Sequence, residues 1–228
     1  MRLLDLFCGA GGESVGYHQA GFEVVGVDIN DQPHYPYRFV QWDALTALDD
    51  LDWMSSFDVI HASPPCQTYS TLKTVRTRHV ESLIEPVRHR LRATGLPYII
   101  ENVVGSPLLD PVQICGTALG CYDDEYELRR HRLFESNMLI SGTVCAHRKH
   151  RHPVGVYGDL GNRPRPNRPV DGPTGPHGWK ASRTGARLLM GIDWEVTDTE
   201  LGEAIPPAYT RHLGAQLADH VANRVGFA

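Results

Sequence analysis

Four short apolar runs punctuate the first half of the chain, and each gives way to polar or small residues. "RLLDLFCGAGG" runs into a glycine-rich turn and "FEVVGVDIN" ends at Asp28. "FDVIHAS" stops before two prolines, and "LPYIIENVVG" carries Glu101 and Asn102 near its end. Runs this short and this continuously apolar predict strands buried on both faces. Between the first two lies "ESVGYHQAG", a one-faced helix closed by Gly21. "QWDALTALDDLDW" reads as an acidic turn and a short helix. "HVESLIEPVRHRLRATG" reads as a longer helix, interrupted at Pro86 and closed at Gly95. The alternation predicts an α/β fold with a doubly wound, mostly parallel sheet.

From about Ser141 the texture changes to Pro, Gly, Arg and His with little periodicity, which predicts a loop-rich insert. Regularity returns at "GARLLMGIDW", and Pro206 and Pro207 open a helix carrying Tyr209, Leu213, Leu217 and Val221. Residues 1–138 are therefore expected to form a core, 139–185 a small insert, and 186–228 a segment returning to the core.

With 228 residues, 41% of them hydrophobic and 21% charged, the chain has the make-up of one well-cored domain. No apolar run approaches the roughly 18 residues of a membrane span, and no secretory leader is visible, so a cytoplasmic protein is expected. Five scattered cysteines (Cys8, Cys66, Cys115, Cys121, Cys145) argue for reduced thiols rather than a disulfide framework. The net charge of −5 conceals an asymmetry. Residues 1–70 hold 2 Lys/Arg against 10 Asp/Glu, whereas residues 71–100 hold 6 against 2 and residues 139–190 hold 9 against 2. Two basic segments on an acidic body fit a groove that follows phosphates, although solvated basic loops would look the same.

Three stretches carry candidate chemistry. In "DLFCGAGG" the glycines allow a tight turn and a close ligand approach after the first strand, where α/β folds bind nucleotides. The spacing is neither a dinucleotide fingerprint nor a phosphate loop. With Asp28 suited to a ribose diol and Asp43 to an exocyclic amine, an adenosine-type cofactor is suggested; a plain strand–helix turn is the alternative. In "ASPPCQTYS", Pro64 and Pro65 restrict the backbone before Cys66 at a strand end. A thiol with an ordinary pKa of about 8.5 needs cationic or donor neighbours to act as a nucleophile, and Lys73, Arg76 and Arg78 follow it. A buried structural cysteine is the competing reading, in a polar loop that suits it poorly. "YIIENVVG" sets Glu101 on the same sheet edge, and "ELRRHRLFE" offers Arg130 and Arg132 two apart, on one side of an extended segment.

Together "DLFCGAGG", "PPCQTYS", "IIENV", "RRHRLF", "LMGIDW" and "GEAIPPAYTRHLG" resemble, in order and over almost the whole chain, the motifs of the cytosine-5 DNA methyltransferases, in a compact phage or bacterial form. The resemblance implies the S-adenosylmethionine-dependent methyltransferase fold, with 139–185 as a reduced target-recognition region. It implies that Cys66 attacks C6 of a cytosine flipped out of double-stranded DNA, that Glu101 protonates or hydrogen-bonds the ring, and that Arg132 and Arg130 hold its carbonyl. S-adenosyl-L-methionine is the implied cofactor, over Phe7, Gly9, Ala10 and Gly12, with Asp28 at its ribose, Asp43 at its adenine, and Pro65 and Glu203 nearby. Gln67, Ser70, Lys73, Arg76, Arg78, Arg148, Lys149 and Arg151 are the implied DNA contacts, and a restriction-modification setting follows.

Two positions depart from the family pattern: Leu128 stands where Gln is usual, and Glu203 where Asn is usual. The insert is also much shorter than is usual. "CAHRKHRH" places Cys145, His147, His150 and His152 close in sequence, but not at a standard zinc spacing, so a basic segment on phosphates is expected and no metal. Methylation of an RNA cytosine and a non-catalytic DNA-binding homologue are the alternative functions. No motif decides oligomeric state; a monomer is slightly favoured.

Overall fold

The computed structural model describes residues 1–65, 82–157, 170–173 and 179–225. Its centre is a seven-stranded sheet in the order β3-β2-β1-β4-β5-β8-β6. The strands are β1 (Arg2–Leu6), β2 (Glu23–Asp28), β3 (Arg38–Gln41), β4 (Val59–Ala62), β5 (Tyr98–Val103), β6 (Val112–Cys115) and β8 (His131–Ser136). The first five are mutually parallel. β8 runs antiparallel to both β5 and β6, so the parallel reading of the sheet ends at β5. β3 was not anticipated, since "RFVQ" on the sheet edge has no continuous apolar run.

Alternation along each strand sends side chains to two cores. Leu3, Val24, Val59, Ile99 and Phe134 pack on one side with Tyr17 of α1 (Gly12–Gln19) and with Tyr209, Leu213 and Leu217 of α7 (Pro207–Val225). Leu4, Val25, Ile60 and Ile100 pack on the other with α2 (Ala44–Asp49), α3 (Leu51–Met54) and α4 (Ile84–Thr94). Pro86 does not interrupt α4. It lies in the first turn, where its missing N–H would have had no acceptor within the helix.

The stretch read as a loop-rich insert contributes β9 (His152–Gly155), β10 (Val170–Pro173) and β11 (Trp179–Ala181) to a second sheet, in the order β10-β11-β9-β7. Its fourth strand, β7 (Tyr126–Glu127), comes from the preceding segment. Helices α5 (Arg183–Met190) and α6 (Asp198–Glu203) then lead back to α7. Among the described residues no helix is long and apolar enough to cross a membrane.

α1 and α7 meet closely because Gly16 has no side chain. A Cβ there would sit 2.1 Å from the Pro207 carbonyl oxygen and 2.7 Å from the Arg211 nitrogen, both backbone atoms. Overpacking costs about 1–3 kcal/mol or more, which exceeds the roughly 1 kcal/mol that Ala gains over Gly in a helix. Gly16→Ala is therefore expected to lower Tm by roughly 2–8 °C, at about 2–4 °C per kcal/mol for a chain of this size, read by calorimetry; an unchanged Tm would mean that α7 shifts at no cost.

Candidate active site

Strand order reverses between β1 and β4: the chain winds outward through β2 and β3, then returns to β4 and β5 on the other side. At such a switch point the loops leaving the carboxyl ends separate and open a crevice. The turn after β1 lies on one side of it, and Ser63–Pro64–Pro65 after β4 on the other.

The turn is tight and strained. Gly11 N–H donates to the Cys8 carbonyl at 3.0 Å, and Cys8 N–H donates to the Val27 carbonyl at 3.1 Å. Phe7 has φ 61° and Gly9 φ 47°; a left-handed backbone is uncommon for a phenylalanine. A Cβ on Gly9 would meet nothing within 4 Å, so a ligand has open space above this peptide. Gly12 is needed for a different reason, since its Cβ would lie 2.4 Å from the Ile205 carbonyl oxygen. The Trp194 indole donates to the Ala10 carbonyl at 3.0 Å and holds the turn from outside.

Asp28 ends β2 half-buried, accepting from Gly9 N–H at 3.2 Å and from Asn30 N–H at 2.9 Å. A carboxylate has about four acceptor sites, so these bonds leave capacity for a diol. Ile29 beside it is 62% exposed, an apolar surface at the mouth that the sequence reading missed. Asp43 lies at the same sheet edge, through the register Asp28↔Gln41. One of its oxygens caps α2 by accepting from Thr46 N–H at 2.8 Å. Glu203, the last residue of α6, is exposed. Partial burial and the charges of Asp28 and Glu200 push its carboxyl up, which places Glu203 within electrostatic reach of Asp28.

On the other side, Glu101 lies in β5, buried, with Oε1 3.0 Å from Arg132 Nε. The contact is an ion pair without the direction of a good hydrogen bond. Burial pushes the Glu101 carboxyl up; Arg132, Arg130 and a hydrogen bond from Ser63 oppose the rise and do not cancel it. Arg130 does not share that position. Its guanidinium donates to the Val156 carbonyl at 2.6 Å and the Gly202 carbonyl at 2.9 Å, tying the second sheet to α6. Burial lowers its pKa to about 9, helped by the charge of Arg132.

Asn102 donates from Nδ2 to the Pro64 carbonyl at 2.8 Å, locking the proline pair to β5. Beneath it runs a buried polar chain. His61, held neutral by burial with its pKa lowered to about 3, contacts the Tyr17 hydroxyl and the Ser63 hydroxyl, both at 2.9 Å. Ser63 in turn donates to Glu13 at 3.2 Å. The signal for this chain was a histidine inside the apolar run "DVIHA" and a glutamate directly after the glycine turn. Deeper still, burial pushes the Asp5 carboxyl up to about 7, even though Ser14 donates to it at 2.5 Å.

Cys66, Gln67, Ser70, Lys73, Arg76 and Arg78 lie outside the described residues. Burial pushes the Cys8 thiol far up and the Cys121 thiol up to about 12, so neither is a nucleophile near neutral pH. Arg148 and Lys149 are exposed, whereas the Arg151 guanidinium sits 3.8 Å above the Tyr122 ring, which engages its charge.

Residues 1–81 match the family model of the C-5 cytosine-specific DNA methylases. Over those residues the chain is similar to the cytosine-5 DNA methyltransferases. It is 28% identical over 127 residues to the type II methyltransferase M.AgeI of Thalassovita gelatinovora, covering 46% of this chain and 28% of that protein. It is 35% identical over 80 residues to M.HgiGI of Herpetosiphon aurantiacus, covering 31% and 64%. The matches thus span between about a quarter and two thirds of these relatives. Over 98% of this chain and 99% of the other, the fold is similar to a solved prophage-encoded protein of E. coli assigned to the DNA modification methyltransferases, with TM-score 0.60 and 15% identity.

One departure from the methyltransferase pattern has a local cause. Leu128 is 1% exposed inside the apolar core beside Tyr126 and Phe134, where a glutamine amide would need buried partners.

Proposed function

We propose that this chain is a cytosine-5 DNA methyltransferase, transferring a methyl group to C5 of cytosine in DNA with S-adenosyl-L-methionine as donor. The buried Glu101–Arg132 pair at the carboxyl edge carries the reading, because a carboxyl whose affinity for a proton is raised by burial, set beside a fixed guanidinium, is what a pyrimidine ring needs in order to be activated. The crevice residues suit the cofactor. The open face over Gly9 and the acids Asp28 and Asp43 match an adenosine, Ile29 offers its ring an apolar surface, and "FCGAGG" has no basic residue for a phosphate. When bound, that cofactor supplies an electrophilic methyl group.

The chain's residues supply the rest. Cys66, following a proline pair that Asn102 holds, adds as a thiolate to C6 of the base. Glu101 donates its proton to N3, and Arg132 orients Glu101 and faces the ring carbonyl, so electron density collects at C5. After methylation a base removes the C5 proton and the thiolate leaves. C6 is inaccessible in a stacked duplex, so the cytosine must flip out. In this reading the 139–185 region, with Arg148 and Lys149, meets the DNA, while Arg130 positions neighbouring elements. A type II modification role, as the relatives' names carry, fits a cytosolic enzyme.

The test is expression in a bacterial host free of cytosine methylation, followed by nucleoside mass spectrometry and bisulfite sequencing of its DNA. 5-Methylcytosine in a fixed sequence context is expected. DNA without it would overturn the reading, and 5-methylcytosine confined to RNA would redirect it to an RNA substrate.

A further inference from the structure

Away from the crevice, the fold assembles four metal-ligating side chains that are far apart in sequence. Cys115 ends β6 and His131 begins β8, and the two are direct partners in the antiparallel register. Cys145 and His147 follow on the segment that runs back along the end of β6. One ligand atom from each of the four lies within 4.8 Å of every other. His147 Nε2 is 3.3 Å from Cys115 Sγ, and His131 Nε2 is 3.2 Å from Cys145 Sγ. Zinc bonds of about 2.3 Å to sulfur and 2.0 Å to nitrogen give tetrahedral edges of roughly 3.3–3.8 Å, so these separations need only a small adjustment around an ion.

We propose that Cys115, His131, Cys145 and His147 form a closed structural Zn2+ site. Two thiolates and two imidazoles are the ligand set of tetrahedral zinc, and four protein ligands leave no position open for catalysis. The segment is laid in place by bonds that do not involve the ligand atoms. Thr143 N–H donates to the Gln113 carbonyl at 2.9 Å, Cys115 N–H to Thr143 Oγ1 at 3.0 Å, and Ala146 N–H to Thr117 Oγ1 at 3.2 Å. Gly142 permits the approach, since a Cβ there would lie 2.4 Å from the Gln113 carbonyl oxygen. Thr117 Oγ1, 3.1 Å from Cys115 Sγ, supports a sulfur ligand from behind.

Neighbours along the chain pair Cys145 and His147 with His150 and His152; the strand register pairs them instead with Cys115 and His131. The ion would fasten two pieces of the molecule at once. His131 directly precedes Arg132, whose Nε faces Glu101, and His147 directly precedes the basic run Arg148–Arg151. Zinc here fixes the start of β8 and the root of the basic segment, whatever reaction the crevice performs.

The full chain, purified without a polyhistidine tag and without chelator under reducing conditions, is expected to hold one zinc per chain by elemental mass spectrometry. Removing it with a strong chelator should lower Tm by several degrees, and adding back zinc should restore it. Cys145→Ser and His147→Ala, both at exposed positions, should each lose the metal, and exposed His150→Ala should keep it. Cobalt added to the metal-free wild type should give a thiolate-to-cobalt charge-transfer band with the intense visible bands of a tetrahedral ion. The proposal is overturned by a wild type that holds no zinc and shows no thiolate–cobalt band. It is equally overturned by zinc that survives both ligand substitutions, or by a Cys115–Cys145 disulfide in the reduced preparation.

Discussion

Glu101→Gln is expected to slow methyl transfer by about 10²–10⁴-fold, the range a positioned general acid contributes, while leaving the affinity for S-adenosyl-L-methionine unchanged. Gln keeps the shape of the side chain and one hydrogen-bond donor, so what is lost is the proton that can be transferred, at a position 3.0 Å from Arg132 Nε. Burial is the main force on this carboxyl and raises its pKa against the pull of Arg132 and Arg130. The sign of the pH dependence follows. A general acid works protonated, so the wild-type kcat should fall as pH rises through the raised Glu101 pKa, and Glu101→Gln should abolish that alkaline limb. Cys66→Ala should remove activity altogether and still bind the cofactor. A Gln variant with near-wild-type kcat, or with the same alkaline limb, would show that another group supplies the proton.

The residues of this prediction differ in how openly the sequence displays them. β1, β2, β4 and β5 announce themselves because strands covered on both faces are apolar at most positions, and Glu101 is then conspicuous inside "YIIENV". Arg132 faces Glu101 only because β8 runs antiparallel to β5, with Val103 opposite Arg132, and no local pattern encodes that reversal. Arg130 looked like its twin at a two-residue spacing. Its guanidinium is instead bound to the carbonyls of Val156 and Gly202, partners 26 and 72 residues away that only the tertiary fold supplies. The second sheet was hidden for a related reason. Three short strands rich in Pro and Gly carry no period-2 signal, and β7 joins them from before the change in texture. The four-residue Cys/His cluster likewise depends on register, which brings Cys115 opposite His131. Local chemistry was legible wherever burial dictates composition, and illegible wherever long-range pairing decides which side chains meet.

Arg88→Met is expected to cost about 3–5 kcal/mol of folding stability, the penalty for leaving a buried charge without its partner. Arg88 of α4 donates from Nε and Nη2 to the two oxygens of Glu135 in β8, both at 2.7 Å, with each side chain 3% exposed. Nη2 also donates to the Pro107 carbonyl at 2.9 Å, and Glu135 accepts from Leu109 N–H at 2.8 Å. The fork joins a helix, a strand and the β5–β6 connection, so methionine leaves the Glu135 carboxylate in an apolar site with one backbone donor. Adding Glu135→Met removes the stranded charge and should recover much of the loss. It should not recover all of it, because the Leu109 N–H then lacks its acceptor, at about 1–3 kcal/mol. Urea unfolding of the two variants and the wild type measures both terms. A single-variant cost below about 1 kcal/mol would mean that water reaches Glu135. Activity separates this effect from catalysis: Glu135 pairs with Ile100, one residue before Glu101, yet among the described residues neither member of the fork is hydrogen-bonded to the crevice groups. Folded Arg88→Met should therefore methylate at close to the wild-type rate per active molecule. A large drop in kcat at full occupancy of the native state would mean that α4 holds Glu101 in place through β8, and the fork would then count among the residues that position the acid.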